Sequence, residues 1–423
     1  MPMQLRAYGL SDLGRKRQGN EDAFIADEQR GVFIVCDGMG GHNAGEVASA
    51  RAIEVVTAFV RERFQVVRQL AENPTPQNGQ AAQALVEQAV QAACAEIYRT
   101  AQADPNKRGM GTTFVGLFTA GQKAVIGHVG DSRIYLLRQG QSHRLTEDHT
   151  LVAAQLKAGT ITKSEAAKSP YRNVITRAVG IQESVQVDTL LIDLLPGDLF
   201  LLCSDGLHGY LSDDEVSGLF ASAPWEQLPR KLVDLANSRG GKDNVTVVVV
   251  GMGGEPSAEV SSEAAAKMEA LKKIPLFRHL TYKEQTAILA VASTRTYPGG
   301  REIVVEGKPG DELFIVVRGQ VAVEKGGVEI AELKSGGHFG EMGLIDNAPR
   351  SATVRATEPT RVMVVGRSDL INLMRREPVL AVKLLWSFVQ VLSDRLRATN
   401  AELSEARQEL AIAQAVRPFM EEE

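Results

Sequence analysis

Six carboxylates stand at punctuated places in the first half of this 423-residue sequence. Asp37 follows the apolar run VFIVC in CDGMGG, and Asp205 follows DLFLLC in SDGL. Asp131 sits in GDSR, Asp243 in KDNVT, and Glu21 and Asp22 close RQGNED. An aspartate immediately after a buried strand is costly unless it is turned outward to bind something. Short carboxylates converging on one rim repel one another, and a hard divalent cation cancels that repulsion. Mg²⁺ and Mn²⁺ prefer all-oxygen ligand sets of this kind. The glycines after Asp37 and Asp205 allow the backbone to come close to such an ion. No cluster of histidine and cysteine of the kind that holds zinc is visible, and Cys36, Cys94 and Cys203 form no Cys-x-x-Cys pair. One Asp-Gly pair alone reads as a turn; the whole ordered set reads as a metal centre.

The second half carries a different chemistry, in GGHFGEMGLIDNAPRSATV (336–354). A glycine-flanked turn presents Glu341, and Arg350 follows a short apolar helical stretch. A glycine-rich helix start offers free N–H groups to an anion, and Arg350 adds the neutralising charge. A glutamate cannot hold phosphate, but it accepts a hydrogen bond from a sugar hydroxyl. An anion receptor beside a hydroxyl receptor describes a nucleotide pocket.

The elements that position these residues can be read coarsely. At about 150 residues per domain, the length calls for two or three domains. With 44% apolar and 23% charged residues, each half can bury a core. The net charge of −5 argues against a general nucleic-acid binder. The best boundary is GMGGEPSAEVSSEAAAK (251–267), with the linker at 253–262 and a helical stretch at 262–273. Before it, 32–36 and 198–203 read as buried strands running into Asp-Gly turns. Short β runs at 113–119, 123–129 and 133–138 follow one another. Helices fit 45–70 and 80–103 around the loop 73–79, and the polar segment 148–180 reads as a flap. After the boundary, closely spaced glycines separate short β runs, as in a small barrel or jelly roll. Helices flank it at 281–292 and from about 377 to 413. In that last helix, Val389, Leu392, Leu396, Thr399, Leu403, Ala406, Leu410 and Ala413 alternate spacings of three and four, an a/d seam suited to a second chain.

The first half resembles the metal-dependent protein phosphatases (PPM, type 2C-like) in their bacterial form, over about 5–252. The matching motifs are SDLGRKRQGNED (11–22), VCDGMGGHNAGEVAS (35–49), GMGTT (109–113), GHVGDSRIY (127–135), LTEDHT (145–150), RNVITRAVG (172–180), LLCSDGLHGYLSDDE (201–215) and GGKDNVTVVVV (240–250). The resemblance implies that Asp37 bridges two Mn²⁺ or Mg²⁺ ions and that Gly38 gives a carbonyl ligand. It implies that Asp205 and Asp243 complete the first ion's shell. Glu21, with Asp22 beside it, looks like a water-mediated ligand of the second ion. Asp131, with Asp205, resembles the ligand of a third, weaker site. Arg17 matches the phosphate-binding arginine, and Asn244 supports the site beside Asp243. Arg17, Asp37 and Asp205 are thus the expected catalytic residues. Met39 stands where many eukaryotic members carry a histidine, so no side chain is assigned to protonate the leaving group. His42 reads as a helix-start residue and His149 as structural; Cys36 and Cys203 read as core thiols.

The second half resembles cyclic nucleotide-binding domains over about 271–413, through LKKIPLFRHLT (271–281), GREIVVEGKPGDELFIVVRGQVAVEK (300–325) and the segment 336–354. By that match Gly340 and Glu341 hold the ribose 2′-hydroxyl, Arg350 holds the cyclic phosphate, and Ser351 hydrogen-bonds phosphate or base. RLRATNAEL (395–403) is similar to the stretch by which bacterial cAMP-receptor transcription factors touch adenine, which places Thr399 and Asn400 at the base and favours cAMP over cGMP. No helix-turn-helix is visible after that helix, so DNA is not an expected partner.

The expected protein is of the α+β class: a phosphatase β-sandwich flanked by helices (1–253), a linker and helix (254–270), an all-β jelly-roll cyclic nucleotide-binding domain with a dimerising helix (271–413), and a tail (414–423). Its expected substrates are phosphoserine and phosphothreonine proteins, and its expected state is a homodimer. With no apolar leader and no membrane-length apolar run, the expected place is the cytoplasm. Cyclic nucleotide should alter turnover, with activation through release of the 148–180 flap as the favoured direction. The rival reading is a catalytically weak scaffold that binds phosphoproteins; the intact acidic set speaks against it.

Overall fold

The computed structural model describes residues 4–40, 44–253, 258–344 and 348–420, less the side chains of 163, 167, 258–263, 395, 398, 399, 402, 405, 406 and 409–420. The chain divides into two compact units, 1–265 with 289–291 and 266–288 with 292–423.

The first unit is built on two antiparallel sheets. One has the order β1 (Gln4–Asp12), β11 (Val245–Gly253), β10 (Leu199–Cys203), β7 (Arg133–Arg138), β8 (Gln141–Arg144). The other has the order β2 (Asp22–Asp27), β3 (Val32–Met39), β5 (Phe114–Ala120), β6 (Lys123–Val129), β9 (Asp188–Asp193), with the short β4 (Gly111–Thr112) paired to β3. The central strands are buried along nearly their whole length because both of their faces are covered. Helices α1 (Ala44–Glu62), α2 (Phe64–Glu72) and α3 (Pro76–Ala103) cover the second sheet. Ala48, Ala52, Val56, Ala89, Val90 and Ala93 pack there against Ile34, Phe114 and Val125. Helices α6 (Asp205–His208), α7 (Asp213–Phe220) and α8 (Leu228–Ser238) cover the first sheet. Between β8 and β9, the segment expected as a flap carries two short capped helices, α4 (Leu151–Lys157) and α5 (Lys163–Lys168). It is tied down by bridges from Thr150 to Ile175 and from Thr112 to Val179.

The second unit takes in the latter part of α9 (Ala258–Lys272) and most of α10 (Tyr282–Val291). Its barrel consists of two four-stranded antiparallel sheets. The first is β12 (Ser293–Tyr297), β19 (Thr360–Gly366), β14 (Glu312–Arg318), β17 (His338–Phe339); the second is β13 (Glu302–Val304), β18 (Thr353–Ala356), β15 (Val321–Lys325), β16 (Val328–Leu333). Phe314, Val316, Val321, Phe339, Val354, Val362 and Val364 fill the space between them. Helices α11 (Arg367–Arg376) and α12 (Pro378–Met420) follow. Lys383 of α12 reaches both carboxylate oxygens of the buried Glu284 on α10, at 2.8 and 2.7 Å.

Five sequence expectations differ in detail. Asp37-Gly38 is not a turn: β3 continues through both residues to Met39, paired with Asp22 on one side and Thr112 on the other. The helix expected over 45–70 breaks at Arg63, and helix α3 starts at Pro76, inside the expected loop, with Thr75 capping it. Helix α9 starts at Ala258, within the expected linker. The last helix runs on to Met420, past the expected start of the tail.

Candidate active site and nucleotide pocket

Strand registers bring the acids of the first unit together. Asp22 opens β2 directly opposite Asp37 on β3. Cys203, the last residue of β10, lies opposite Val247 and Arg133, near the starts of β11 and β7. The loops leaving those three strand ends carry Asp205, Asp243 and Asp131. Four carboxylates, Asp22, Asp205, Asp131 and Asp243, therefore act on Asp37.

Burial, and then repulsion among these groups, pushes every resolved member of the cluster up. Asp37 lies well above the usual carboxylate range, Asp22 and Asp131 are pushed up to about 7, and Asp205 is also raised. Asp205 and Asp37 share a hydrogen bond between their carboxyl groups. Asp22 Oδ2 accepts a bond from Ser204 Oγ at 2.8 Å, while its buried Oδ1 has no partner. An orphaned carboxylate oxygen within a self-repelling, all-oxygen donor set fits a hard divalent cation, and fits zinc poorly.

Glu21 lies beside this cluster, held by the start of α1. Ser49 Oγ donates to the Glu21 carbonyl at 2.6 Å, and the Gly45 N–H donates to the Glu21 carboxylate. Gly38 donates its N–H to the same Glu21 carbonyl at 3.1 Å. A Cβ on Gly38 would collide with the Gly45 carbonyl, so the Asp-Gly pair is required for close approach of three backbones. Burial raises Glu21 as well, with Arg17 opposing.

Arg17 stands at the rim, half-exposed, with Nη2 2.7 Å from Asp243 Oδ2 and Nη1 3.8 Å from Glu21 Oε2. Asn244 anchors the loop that carries it. Its amide nitrogen donates to the Leu13 and Gly19 carbonyls, each at 3.0 Å, and its Oδ1 accepts from the Glu21 N–H at 2.9 Å. Met39 is half-buried on β3 and offers no proton. Cys36 and Cys203 are fully buried and far too basic to react, Cys203 being pushed up to about 12 by burial. His149 is structural: its Nδ1 accepts from the Gly130 N–H at 3.1 Å. His42 lies outside the described residues.

Sequence reasoning missed the residues that brace the cluster. Thr113 Oγ1 accepts from the Asp37 N–H at 2.9 Å and shares a hydrogen bond with Ser132 Oγ. Arg133 binds Asp148 through two bonds of 2.9 and 2.6 Å. Burial would raise Asp148, but this forked pairing overrides it and holds the carboxyl at about 2. Burial, aided by the Arg133 charge, pushes His208 down to about 3, so the neutral ring donates from Nε2 to the Asp131 carbonyl at 2.8 Å. The only signal in the sequence was proximity to the motif aspartates.

In the second unit, Arg350 folds inward. Its Nη1 donates to the Gly340 carbonyl at 3.1 Å and its Nη2 to the Glu312 carbonyl at 2.9 Å. The guanidinium lies 5.7 Å over the Phe314 ring, which stacks on Phe339. Gly310, Gly340 and Gly343 crowd it so closely that a Cβ on any of them would press on Arg350 or its neighbours. Gly340 also has φ +82°, a conformation that favours glycine. Burial draws the Arg350 pKa down, opposed by Glu312, Asp311 and Glu341. Glu341 begins a short 3-10 turn (Glu341–Leu344), and Ser351 is exposed. The residues expected at the base are not brought to this pocket by the described contacts: Asn400 is exposed on α12 with no side-chain hydrogen bond among the described residues, and the Thr399 side chain lies outside them.

The sequence profile of Protein phosphatase 2C matches residues 14–268, more than half of the chain. The chain belongs to the protein phosphatase 2C family. The serine/threonine phosphatase stp of Listeria innocua is 35% identical over 252 residues, 58% of this chain and 95% of that protein. The protein phosphatase PhpP of Streptococcus pneumoniae is 36% identical over 251 residues, 58% of this chain and 97% of that protein. The crystal structure of the Mycobacterium tuberculosis serine/threonine phosphatase PstP/Ppp superposes with a TM-score of 0.52 at 33% identity, covering 59% of this chain and 99% of that one. A structure of the PstP catalytic domain in complex with two manganese ions gives 0.51 at 33% identity, covering 60% and 100%. The profile of the cyclic nucleotide-binding domain matches residues 294–377. This family member is therefore a protein serine/threonine phosphatase that carries a cyclic nucleotide-binding domain in the same chain. Among the described residues, no helix is long and apolar enough to cross a membrane.

Proposed function

We propose that this phosphatase hydrolyses phosphoserine and phosphothreonine in proteins using Mn²⁺ or Mg²⁺, and that a cyclic nucleotide, cAMP in preference to cGMP, alters its turnover. The observation that carries the first part is the convergence of Asp22, Asp37, Asp131, Asp205 and Asp243 on one point. A pair of divalent ions bound there supplies Lewis acidity, which acidifies water for attack and offsets phosphoryl charge. Asp37 would hold both ions, with the Gly38 carbonyl, Asp205 and Asp243 completing the set. Glu21 and Asp22 would act through water on the second ion, and Asp131 with Asp205 would hold a third. The two manganese ions of the PstP domain support this reading.

Arg17 binds the phosphoryl oxygens of the substrate by giving up part of its bond to Asp243. Its guanidinium is already held at the rim of the cluster, so its role is in binding the substrate rather than in the attack. Arg17→Ala should raise KM for a phosphopeptide more than it lowers kcat. Steady-state kinetics giving a normal KM would place the phosphate receptor elsewhere.

The raised carboxyl groups have a consequence for the metal-free chain. Asp22 and Asp131 bind protons in the folded state up to about pH 7, whereas an unfolded aspartate releases its proton near pH 4. Their contribution is full below the unfolded value and is lost as pH rises through the folded one. In EDTA the melting temperature should therefore fall between about pH 4 and pH 8, and Mn²⁺ should restore it at the upper end. A metal-free melting temperature that is flat or rising over this range would contradict the buried, self-repelling cluster.

Three features support the regulatory part. The inward-folded Arg350 sits in a glycine cradle, where a phosphate can replace its carbonyl partners. Thr399 and Asn400 match the stretch by which the bacterial cAMP-receptor factors touch adenine, which favours cAMP. Helix α12 has two apolar faces: Leu380 and Leu384 are buried at home, while Val382, Leu385, Trp386, Val389, Leu392, Leu396 and Leu403 are exposed. That exposed seam starts before Val389 and favours pairing with a second copy, which would carry Thr399 and Asn400 in the seam. Truncation before Leu392 should convert a dimer to monomers in analytical ultracentrifugation; a full-length chain that is monomeric at micromolar concentration would count against the pairing. The regulatory reading itself is tested by phosphopeptide kinetics with and without cAMP.

A further inference from the structure

Three further cations stand on the two loops that carry Arg17 and Asp243. Arg15 and Lys16 precede Arg17 in GRKR, and Lys242 precedes Asp243. All three are exposed. The loops are locked to each other and to the body of the unit. The Arg15 N–H donates to the Gly241 carbonyl at 2.7 Å, and the Lys242 N–H donates to the Tyr210 hydroxyl at 3.0 Å. Gly14 has φ +80°, and a Cβ there would collide with the Asp243 carbonyl. The nearby carboxylates are already engaged. Asp12 accepts from the Gly14 N–H at 2.9 Å and from Asn237 Nδ2 at 3.0 Å. Asp243 accepts from Arg17 Nη2 at 2.7 Å and from the Asn244 N–H at 2.9 Å. Arg17 is thus paired, whereas Arg15, Lys16 and Lys242 make no ion pair among the described residues.

Three unneutralised cations on a rigid rim make a local positive potential in a chain whose net charge is −5. We propose that this rim selects phosphoprotein segments with acidic residues flanking the phosphorylated one. The inference rests on the reading of Arg17 and the carboxylate cluster as the phosphoryl site. An extended peptide advances about 3.3 Å per residue. Side chains within three positions of the phosphate therefore lie within about 10 Å of it, about one Debye length at 0.1 M salt. Lys16 and Lys242 adjoin the two receptor residues in the chain, and Arg15 is bonded to the loop between them. Carboxylates over that span meet the rim's charge, and lysine or arginine over the same span is repelled by it.

Phosphate release by the full-length, Mn²⁺-loaded chain tests the proposal, with peptides that share one phosphothreonine and carry flanking Glu, Gln or Lys. At low salt kcat/KM should fall in the order Glu, Gln, Lys. At least about fivefold should separate the ends, because exposed ion pairs are individually weak but several act together. The difference should lie mainly in KM and should shrink at about 1 M salt, where the Debye length is about 3 Å. Arg15→Gln, Lys16→Gln and Lys242→Gln should each lose part of the preference, the triple variant should lose it, and Lys16→Arg should keep it. The net negative charge of the chain by itself gives the opposite order. Equal kcat/KM for the Glu and Lys peptides in the wild type would overturn the proposal and leave the phosphoryl-site reading standing. So would an undiminished preference in the triple variant, which would assign it to the bound ions; should that variant fail to fold, an undiminished preference in all three single variants does the same. Hydrolysis of none of the peptides would overturn the phosphoryl-site reading and this proposal with it.

Discussion

Asp37→Asn should reduce phosphatase turnover by at least about 100-fold, the scale on which removal of one aimed electrostatic group slows an enzyme, and Asp205→Asn should do the same. Each substitution keeps the shape of the side chain and removes a full charge. Asp37 is the residue on which the other carboxylates converge, and its backbone is fixed by Thr113 on one side and by the β2 pairing on the other. The fold should therefore survive while the cation affinity of the cluster falls. Because asparagine relieves the mutual repulsion, the metal-free variant should melt no lower than the metal-free wild type. Excess EDTA should bring the wild type down to the level of the variants. Mn²⁺-dependent hydrolysis of p-nitrophenyl phosphate measures all of this, and unchanged turnover in either variant would rule out the assigned ligand set.

Arg350→Ala should remove most of the affinity for cyclic nucleotide. A buried phosphate left without its cation loses on the order of 3–5 kcal/mol, by analogy with the breaking of a buried ion pair. The three glycines around the guanidinium leave no room for another side chain to take its place. Glu341→Ala should cost less, because it removes a hydrogen bond to a sugar hydroxyl rather than the counter-charge. Calorimetric titration of cAMP and cGMP into both variants gives the ranking. Equal affinity in wild type and Arg350→Ala would place the phosphate elsewhere.

Much of this architecture was legible from local signals. The motif aspartates stood out because apolar strands ran directly into them, and helices α1 and α3 were visible in their periodicity. The pocket in the second unit was visible because Glu341 and Arg350 flank a run of glycines. What was not legible depended on partners distant in the chain. Asp37-Gly38 looked like a turn because nothing near it in sequence shows that Gly111-Thr112 pairs with it and extends the strand. Ser204, Thr113 and Ser132 looked like ordinary hydroxyl residues until the fold set them under Asp22 and Asp37. The break at Arg63 had no glycine or proline to announce it.

Phosphopeptide kinetics test directly whether catalysis and sensing are coupled in this one chain. Turnover should be measured with saturating Mn²⁺, with and without saturating cAMP, in wild type and in Arg350→Ala. cAMP should change the wild-type rate, with activation as the favoured direction, and leave the Arg350→Ala rate where it was. Coupling of about 1–3 kcal/mol between sites is typical of such devices, so the change should be well outside experimental error. Identical rates in all four conditions would contradict regulation and leave the second unit as a tethered binding module.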